Sequence, residues 1–204
     1  MTIVVLAADN IWEALKTNST DIEWVKATDD FNFKNYKEAD AFFILTDNND
    51  FNFPETAIPV FINSVTTTLK ELNAPNNVLR INGWNSFLQR NVWEIAGKIN
   101  DANKAILEKI NKKIFLVNDE PGFVSPKIIA MIINEAYFTL GDEVSSKTEI
   151  DTAMKLGTNY PYGPFEWAEK IGVKNIYGLL QKLSLTDKRY MPAPLLNAEA
   201  AKNN

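Results

Sequence analysis

The feature that most constrains this chain is the run from Asp119 to Ile171, which marks the ends of several helices in succession. Val124, Ile128, Ile129, Met131, Ile132, Ile133, Ala136, Tyr137 and Leu140 recur at three- and four-residue spacings. Their arc is wider than a surface helix needs, so the pattern predicts a mostly buried helix. Gly141 is placed to stop it. Ser146 and Glu149 have the S-x-x-E form of a capping box, in which each side chain satisfies a free backbone donor, and Gly157 falls where this second helix would end. Pro164 after Gly163 suits the first turn of a third helix, where a missing N–H costs nothing, and Gly172 closes it. A short fourth helix is expected over residues 173–183. Read for capping and periodicity alone, this is a well-punctuated α-helical domain.

The wording is more specific than punctuation requires. D-x-P-G-F-V from Asp119, the N-E-A of Asn134-Glu135-Ala136, I-D-x-A-M-K-L-G from Ile150 and P-x-G-P-F-E from Pro161 follow one another in fixed order and spacing. Together they resemble the C-terminal domain of the 3-hydroxyacyl-CoA dehydrogenases, the L-3-hydroxyacyl and 3-hydroxybutyryl enzymes. The resemblance is closest over residues 119–196, looser over 63–95 and faintest before 63. It implies an N-terminal domain built to bind NAD, an acyl-CoA lying between the two domains, and a homodimer made by the helical domain.

Composition narrows the chemistry. A formal net charge of -5 offers no basic stripe to meet phosphates, so neither a nucleic acid nor an anionic membrane is expected as a partner. Cysteine is absent, which removes disulfides, thiolate nucleophiles and sulfur-ligated metals, and no metal site is expected. Histidine is absent too, so acid–base work would fall to Asp, Glu, Lys or Tyr. The first residues lack the charged start and apolar core of a signal peptide, and no apolar run approaches the roughly 20 residues that span a bilayer. The expectation is a soluble, cytoplasmic protein.

Residues 3–7 read as a buried parallel strand, followed by a turn at Asp9-Asn10 and a helix from Ile11, the opening of a dinucleotide-binding fold. The family carries G-x-G-x-x-G in that turn; here Ala7, Asp9 and Trp12 stand at the three glycine places. Trp12 puts a ring where helix and strand should close. Asp9 puts a negative charge where a phosphate would rest, and two unit charges about 4 Å apart at an effective dielectric near 20 repel by about 4 kcal/mol. No NAD is expected to bind in the usual way. A second strand is read over residues 22–27, and Asp29 or Asp30 beyond it could be the acid that holds a ribose or simply a solvated turn. Against the family, the segments 27–30 and 38–44 match later strands better, which implies that its second strand and the following helices are missing; Ile44 and Asn48 then stand where the family has glutamates.

Residues 42–45 and 59–62 read as buried strands, joined by a linker too short for a helix. Asn63-Ser64-Val65-Thr66 resembles the family's N-T-S-S turn, with Val65 in place of its active-site serine. The segment Ile81-Asn82-Gly83-Trp84-Asn85, with Val92-Trp93-Glu94 beyond it, resembles H-F-x-N-P followed by a strand bearing L-V-E. Asn85 and Glu94 match the family's asparagine and glutamate, while Asn82 replaces its histidine. Pro126 replaces a further active-site asparagine. Oxidising an alcohol by hydride transfer needs a group that takes the hydroxyl proton, and an asparagine amide does not exchange protons at neutral pH. Glu94 could act as base alone or serve as a structural carboxylate bonded to backbone or to Asn82.

A polar-faced helix over 100–111 and a last strand over 114–117 complete the first half. The expected architecture is α/β plus α: a shortened Rossmann-like parallel-sheet domain of about five strands over residues 1–118, a helical domain of the 3-hydroxyacyl-CoA dehydrogenase C-terminal type over 119–196, and a frayed tail over 197–204. The function implied is that of a dehydrogenase-like protein without catalysis, keeping fold, dimer surface and possibly an acyl-CoA cleft. The alternative is an NAD-dependent 3-hydroxyacyl-CoA dehydrogenase of fatty-acid metabolism.

Overall fold

The computed structural model describes residues 1–16, 21–28, 31–46, 51–54 and 56–202. They form two compact units, Met1–Phe123 and Val124–Asn204. Residues 119–123 therefore stay with the sheet unit, beyond the division read from the sequence near residue 118.

The first unit is a seven-stranded sheet: β1 (Thr2–Leu6), β2 (Glu23–Lys26), β3 (Ala41–Ile44), β4 (Val60–Asn63), β5 (Val78–Ile81), β6 (Val92–Ala96) and β7 (Lys113–Leu116), in the order β2-β1-β3-β4-β5-β6-β7. All neighbours are parallel except β5 and β6, which pair Arg80 with Ala96 and Ile81 with Ile95 antiparallel. Seven strands replace the expected five or so. β5 escapes the sequence reading because Arg80 interrupts its apolar run, yet all four of its residues are buried. β2 is not a later strand out of place: it lies beside β1 on the side away from β3, where a doubly wound sheet carries its second strand. Asp29, Asp30 and Asn48 lie outside the described residues.

Side chains of successive residues point to opposite faces of a strand, so the sheet has two cores. On one face, Ile3, Val5, Phe43, Phe61, Leu79, Ile81, Trp93 and Ile95 meet helices α1 (Asp9–Leu15) and α2 (Asp101–Lys109) through Leu15, Leu107 and Ile110. On the other, Val4, Leu6, Phe42, Ile44, Val60, Ile62 and Val78 are covered largely by aromatic side chains from the connections. Phe33 lies 5.0 Å from Phe42 and 4.7 Å from Phe31, edge-on to both, and Phe31 stacks on Tyr36 at 5.7 Å. Phe51 and Phe53 extend the same cluster. Rings from short connections here cover a face that crossover helices usually cover.

The second unit contains α3 (Ser125–Gly141), α4 (Lys147–Thr158), α5 (Pro164–Ile171), α6 (Val173–Ser184) and α7 (Pro194–Lys202). Ser146 and Glu149 make the capping box reciprocally, Pro164 opens α5, and Gly172 closes it with φ +94°. Two stops differ from the sequence reading. Gly141 is the last helical residue of α3 and the left-handed residue is Glu143; Gly157 is inside α4, which ends at the left-handed Asn159. The expected tail is ordered as well, since residues 197–202 continue α7, with Leu196 and Ala200 buried. α3 is less enclosed than its wide arc suggested: Ile129, Ala130, Ile133, Ala136 and Tyr137 are buried, whereas Val124, Ile128 and Phe138 are exposed.

Candidate functional site

In an open sheet of mainly parallel strands, ligands bind beyond the carboxyl ends of the strands, where the order reverses. Here the order reverses at β1, and the turn that leaves it is Ala7-Ala8-Asp9. Ala8 is the N-cap residue of α1 and offers no side-chain cap, and its carbonyl accepts the N–H groups of Ile11 and Trp12. Asp9 forms an ion pair with Lys26, the last residue of β2, and a hydrogen bond and charge from that lysine hold the Asp9 carboxyl below its ordinary range. The charge that the sequence placed alone in this turn is thus paired. Trp12 is half-buried, with its ring edge-on to Trp24 at 6.3 Å, so the helix face that begins at Asp9 is fastened to β2 by two side chains.

The second corner lies at the ends of β4 and β5. Asn63 closes β4, and its Oδ1 accepts the N–H of Gly83 at 3.1 Å. A Cβ on residue 83 would meet Asn63 at 2.8 Å, so this close approach requires glycine. Asn82 Oδ1 accepts more weakly from the N–H of Trp84, at 3.4 Å. Asn82 follows directly on β5, and Glu94 lies on β6, its antiparallel neighbour. Asn82 and Glu94 are both buried, as are Asn63, Ser64 and Thr68, so polar side chains concentrate at this corner. Asn85 is half-buried in the turn three residues past Asn82. Val65 is buried, with its carbonyl accepting from Gly122 N–H at 2.8 Å. Pro126 is buried in the first turn of α3, in the other unit.

The residue that the sequence reading missed is Arg80. Its side chain has no solvent exposure, and its N–H groups donate to Ser64 O at 2.7 Å, Val65 O at 3.0 Å, Glu120 O twice at 3.3 Å, and Asp119 Oδ1 at 2.6 Å. Burial draws the guanidinium below its ordinary pKa, against the pull of Asp119 and Glu71. Burial also pushes the Asp119 carboxyl up, but hydrogen bonds from Arg80 and from the N–H groups of Leu69 and Lys70 outweigh it and leave the group below its ordinary value. The only sequence signal for this knot was a charged residue in an otherwise apolar run.

Residues 122–204 match the family described as 3-hydroxyacyl-CoA dehydrogenase, C-terminal domain. The matched region carries all the helices of the second unit. The helical unit is a 3-hydroxyacyl-CoA dehydrogenase C-terminal domain. The chain is 42% identical over 96 residues to the 3-hydroxyadipyl-CoA dehydrogenase of Escherichia coli (strain K12), covering 46% of this chain and 20% of that one. It is 33% identical over 141 residues to the 3-hydroxybutyryl-CoA dehydrogenase of Clostridioides difficile, covering 65% of this chain and 50% of that one. The chain thus spans between a fifth and a half of the length of these relatives. The sheet unit enters through the fold: the crystal structure of (S)-3-hydroxybutyryl-CoA dehydrogenase from Ralstonia eutropha superposes with a TM-score of 0.74 at 19% identity, over 99% of this chain and 94% of that one.

Within this 3-hydroxyacyl-CoA dehydrogenase-like architecture, the motifs of the helical unit have plain structural work. Asp151, buried on α4, accepts the N–H groups of Phe165 at 2.8 Å and Glu166 at 3.2 Å and so caps α5, while Glu166 accepts from Gly163 N–H and pairs with Lys155. Asn134 of the N-E-A triplet donates to Met191 O at 2.9 Å and accepts from Ala193 N–H at 2.8 Å. Burial raises the Tyr137 hydroxyl well above its ordinary pKa, and Glu199 adds to the effect. Among the described residues, no three carboxylates gather to hold a metal, and no helix is long and apolar enough to cross a membrane.

Proposed function

We propose that this chain is a 3-hydroxyacyl-CoA dehydrogenase-like protein that keeps the fold without turning over a hydroxyacyl substrate. The observation that carries this reading is Asn82, buried directly after β5 where the family motif has a histidine, in a chain with no histidine at all. A carboxylate can orient and charge an imidazole; beside an amide it has no proton carrier to assist. Loss of a general base costs about 10²- to 10⁴-fold in rate.

The nucleotide turn supports the same reading. Ala7, Asp9 and Trp12 do not fit a pyrophosphate: the turn lacks the glycines that admit one, and its side chains are engaged with Lys26 and Trp24. The helical unit is suited to a homodimer, because α3 exposes Ile128 and Phe138 and a groove of about 410 Å³ lies beside Ile132, Ala136, Ile150, Met154 and Pro164. An acyl-CoA is the small-molecule partner that the family relationship suggests, and a cytoplasmic setting is consistent with a chain lacking cysteine.

The names of the relatives favour a second reading, an NAD-dependent 3-hydroxyacyl-CoA dehydrogenase. Titration of the purified chain with NADH, followed by fluorescence, and an assay of NADH oxidation with acetoacetyl-CoA separate the two. Our reading expects no saturable fluorescence change and no turnover, with Asn82→His restoring neither; turnover by the wild-type chain would select the second reading, and turnover by Asn82→His alone would show that the nucleotide turn is still competent. Calorimetry with acetoacetyl-CoA alone tests the cleft, and sedimentation velocity tests the dimer.

A further inference from the structure

We propose that Arg80 and Asp119 make residues 119–123 a fixed strap of the sheet unit, held as firmly as its strands. The sequence Asp119-Glu120-Pro121-Gly122 has the composition of a loose linker, and it lies at the very end of the first compact unit. Its bonds show the opposite.

All five donors of the Arg80 guanidinium have acceptors, and three of those bonds run to Asp119 and Glu120. The other two hold the carbonyls of Ser64 and Val65, which fixes the turn after β4 to the same group. Asp119 extends the knot by accepting the N–H groups of Leu69 and Lys70. At the far end of the strap, Gly122 N–H donates to Val65 O. The ring of Phe123 lies under the guanidinium, 4.7 Å from it, and is buried.

The backbone carries a further sign. Gly122 and Phe123 follow one another with φ +90° and +46°. A phenylalanine in the left-handed region is disfavoured and persists only where its surroundings hold it. Here the cation above the ring and the bond to Val65 supply that hold. A planar fork with five donors suits this task, because a lysine in its place has three donors and no flat face for the ring.

Hydrogen exchange of the intact chain tests the strap. In the wild type, the amides of Leu69, Lys70 and Gly122 should exchange as slowly as those of Val5 and Phe43 in the sheet. Asp119→Asn should speed those three by about 100-fold while Val5 and Phe43 change by less than about threefold, and Arg80→Lys should give an intermediate gain. Wild-type Gly122 exchanging at the rate of an open loop would overturn the proposal, whether or not the variants fold. Equal acceleration of all five amides would also overturn it, since that is a loss of global stability and not release of a strap.

Discussion

The Asp151 carboxylate lies so close to Gly163 that a Cβ built on the glycine would meet its atoms at 2.4 Å. This contact joins two motifs that are only neighbours in sequence: the aspartate of I-D-x-A-M caps the helix opened by G-P-F-E because residue 163 has no side chain. Gly163→Ala is therefore expected to destabilise the chain by about 2 kcal/mol or more, and Asp151→Ala by about 1 to 2 kcal/mol through the lost cap. Urea unfolding followed by circular dichroism measures both, and an alanine at 163 that left the midpoint in place would refute the contact.

Gly157 is the counter-case. It lies inside α4 with an ordinary helical backbone, and a methyl group added there would meet nothing within 4 Å. Gly157→Ala should stabilise the chain by about 0.5 to 1 kcal/mol, since alanine loses less freedom on entering a helix. The same unfolding experiment checks the sign.

Asn134 is buried and uses its amide in both directions, as donor to Met191 and acceptor from Ala193. Asn134→Asp keeps the shape but loses the donor and adds a buried charge facing the Met191 carbonyl. The expected cost is about 2 to 4 kcal/mol at neutral pH, and lowering the pH should recover part of it as the carboxyl takes up a proton. A variant as stable as the wild type at pH 7 would show that the clip is dispensable.

Glu149 and Asp119 contribute to the response to acid. Hydrogen bonds from the Ser146 hydroxyl, the Ser146 N–H and the Ser145 hydroxyl lower Glu149 to about 2, and Asp119 is lowered by Arg80 and two backbone donors in spite of its burial. Because both folded values lie below the unfolded ones, their stabilisation is full above the ordinary carboxylate range and is lost as pH falls toward 2. Carbon-detected NMR titration should find Glu149 ionised well below pH 4, and Ser146→Ala should move its midpoint back up. A Glu149 midpoint at the ordinary value of 4.5 would remove this contribution.

What could be read from the sequence was local or periodic. Ser146 and Glu149 lie three residues apart, Pro164 and Gly172 bracket one short helix, and each satisfies its own backbone neighbourhood. The missed features depend on partners far along the chain. Arg80 belongs in a buried strand only because Asp119, Glu120, Ser64 and Val65 surround it, and residues 197–202 are helical where Leu196 and Ala200 find the helical core. Gly141 and Gly157 were misleading because glycine permits a left-handed stop without requiring one, while Glu143 and Asn159 adopt it. At the candidate site, the placement of Asn82 just after β5 and of Glu94 on the adjoining β6 was foreshadowed by motif spacing, but nothing local could show that Lys26 would reach Asp9.

The ring cluster over β1 and β3 has one more implication. Contacts between aromatic faces and edges are not directional in the way of a helical hydrogen-bond ladder, so this cover can exchange Phe for Tyr or Leu piecemeal without a backbone element to unravel. Its order should be visible as near-ultraviolet dichroism, which can fade while far-ultraviolet ellipticity persists. That would make the aromatic side of the sheet a spectroscopic gauge of its own, separate from the helices behind the opposite face.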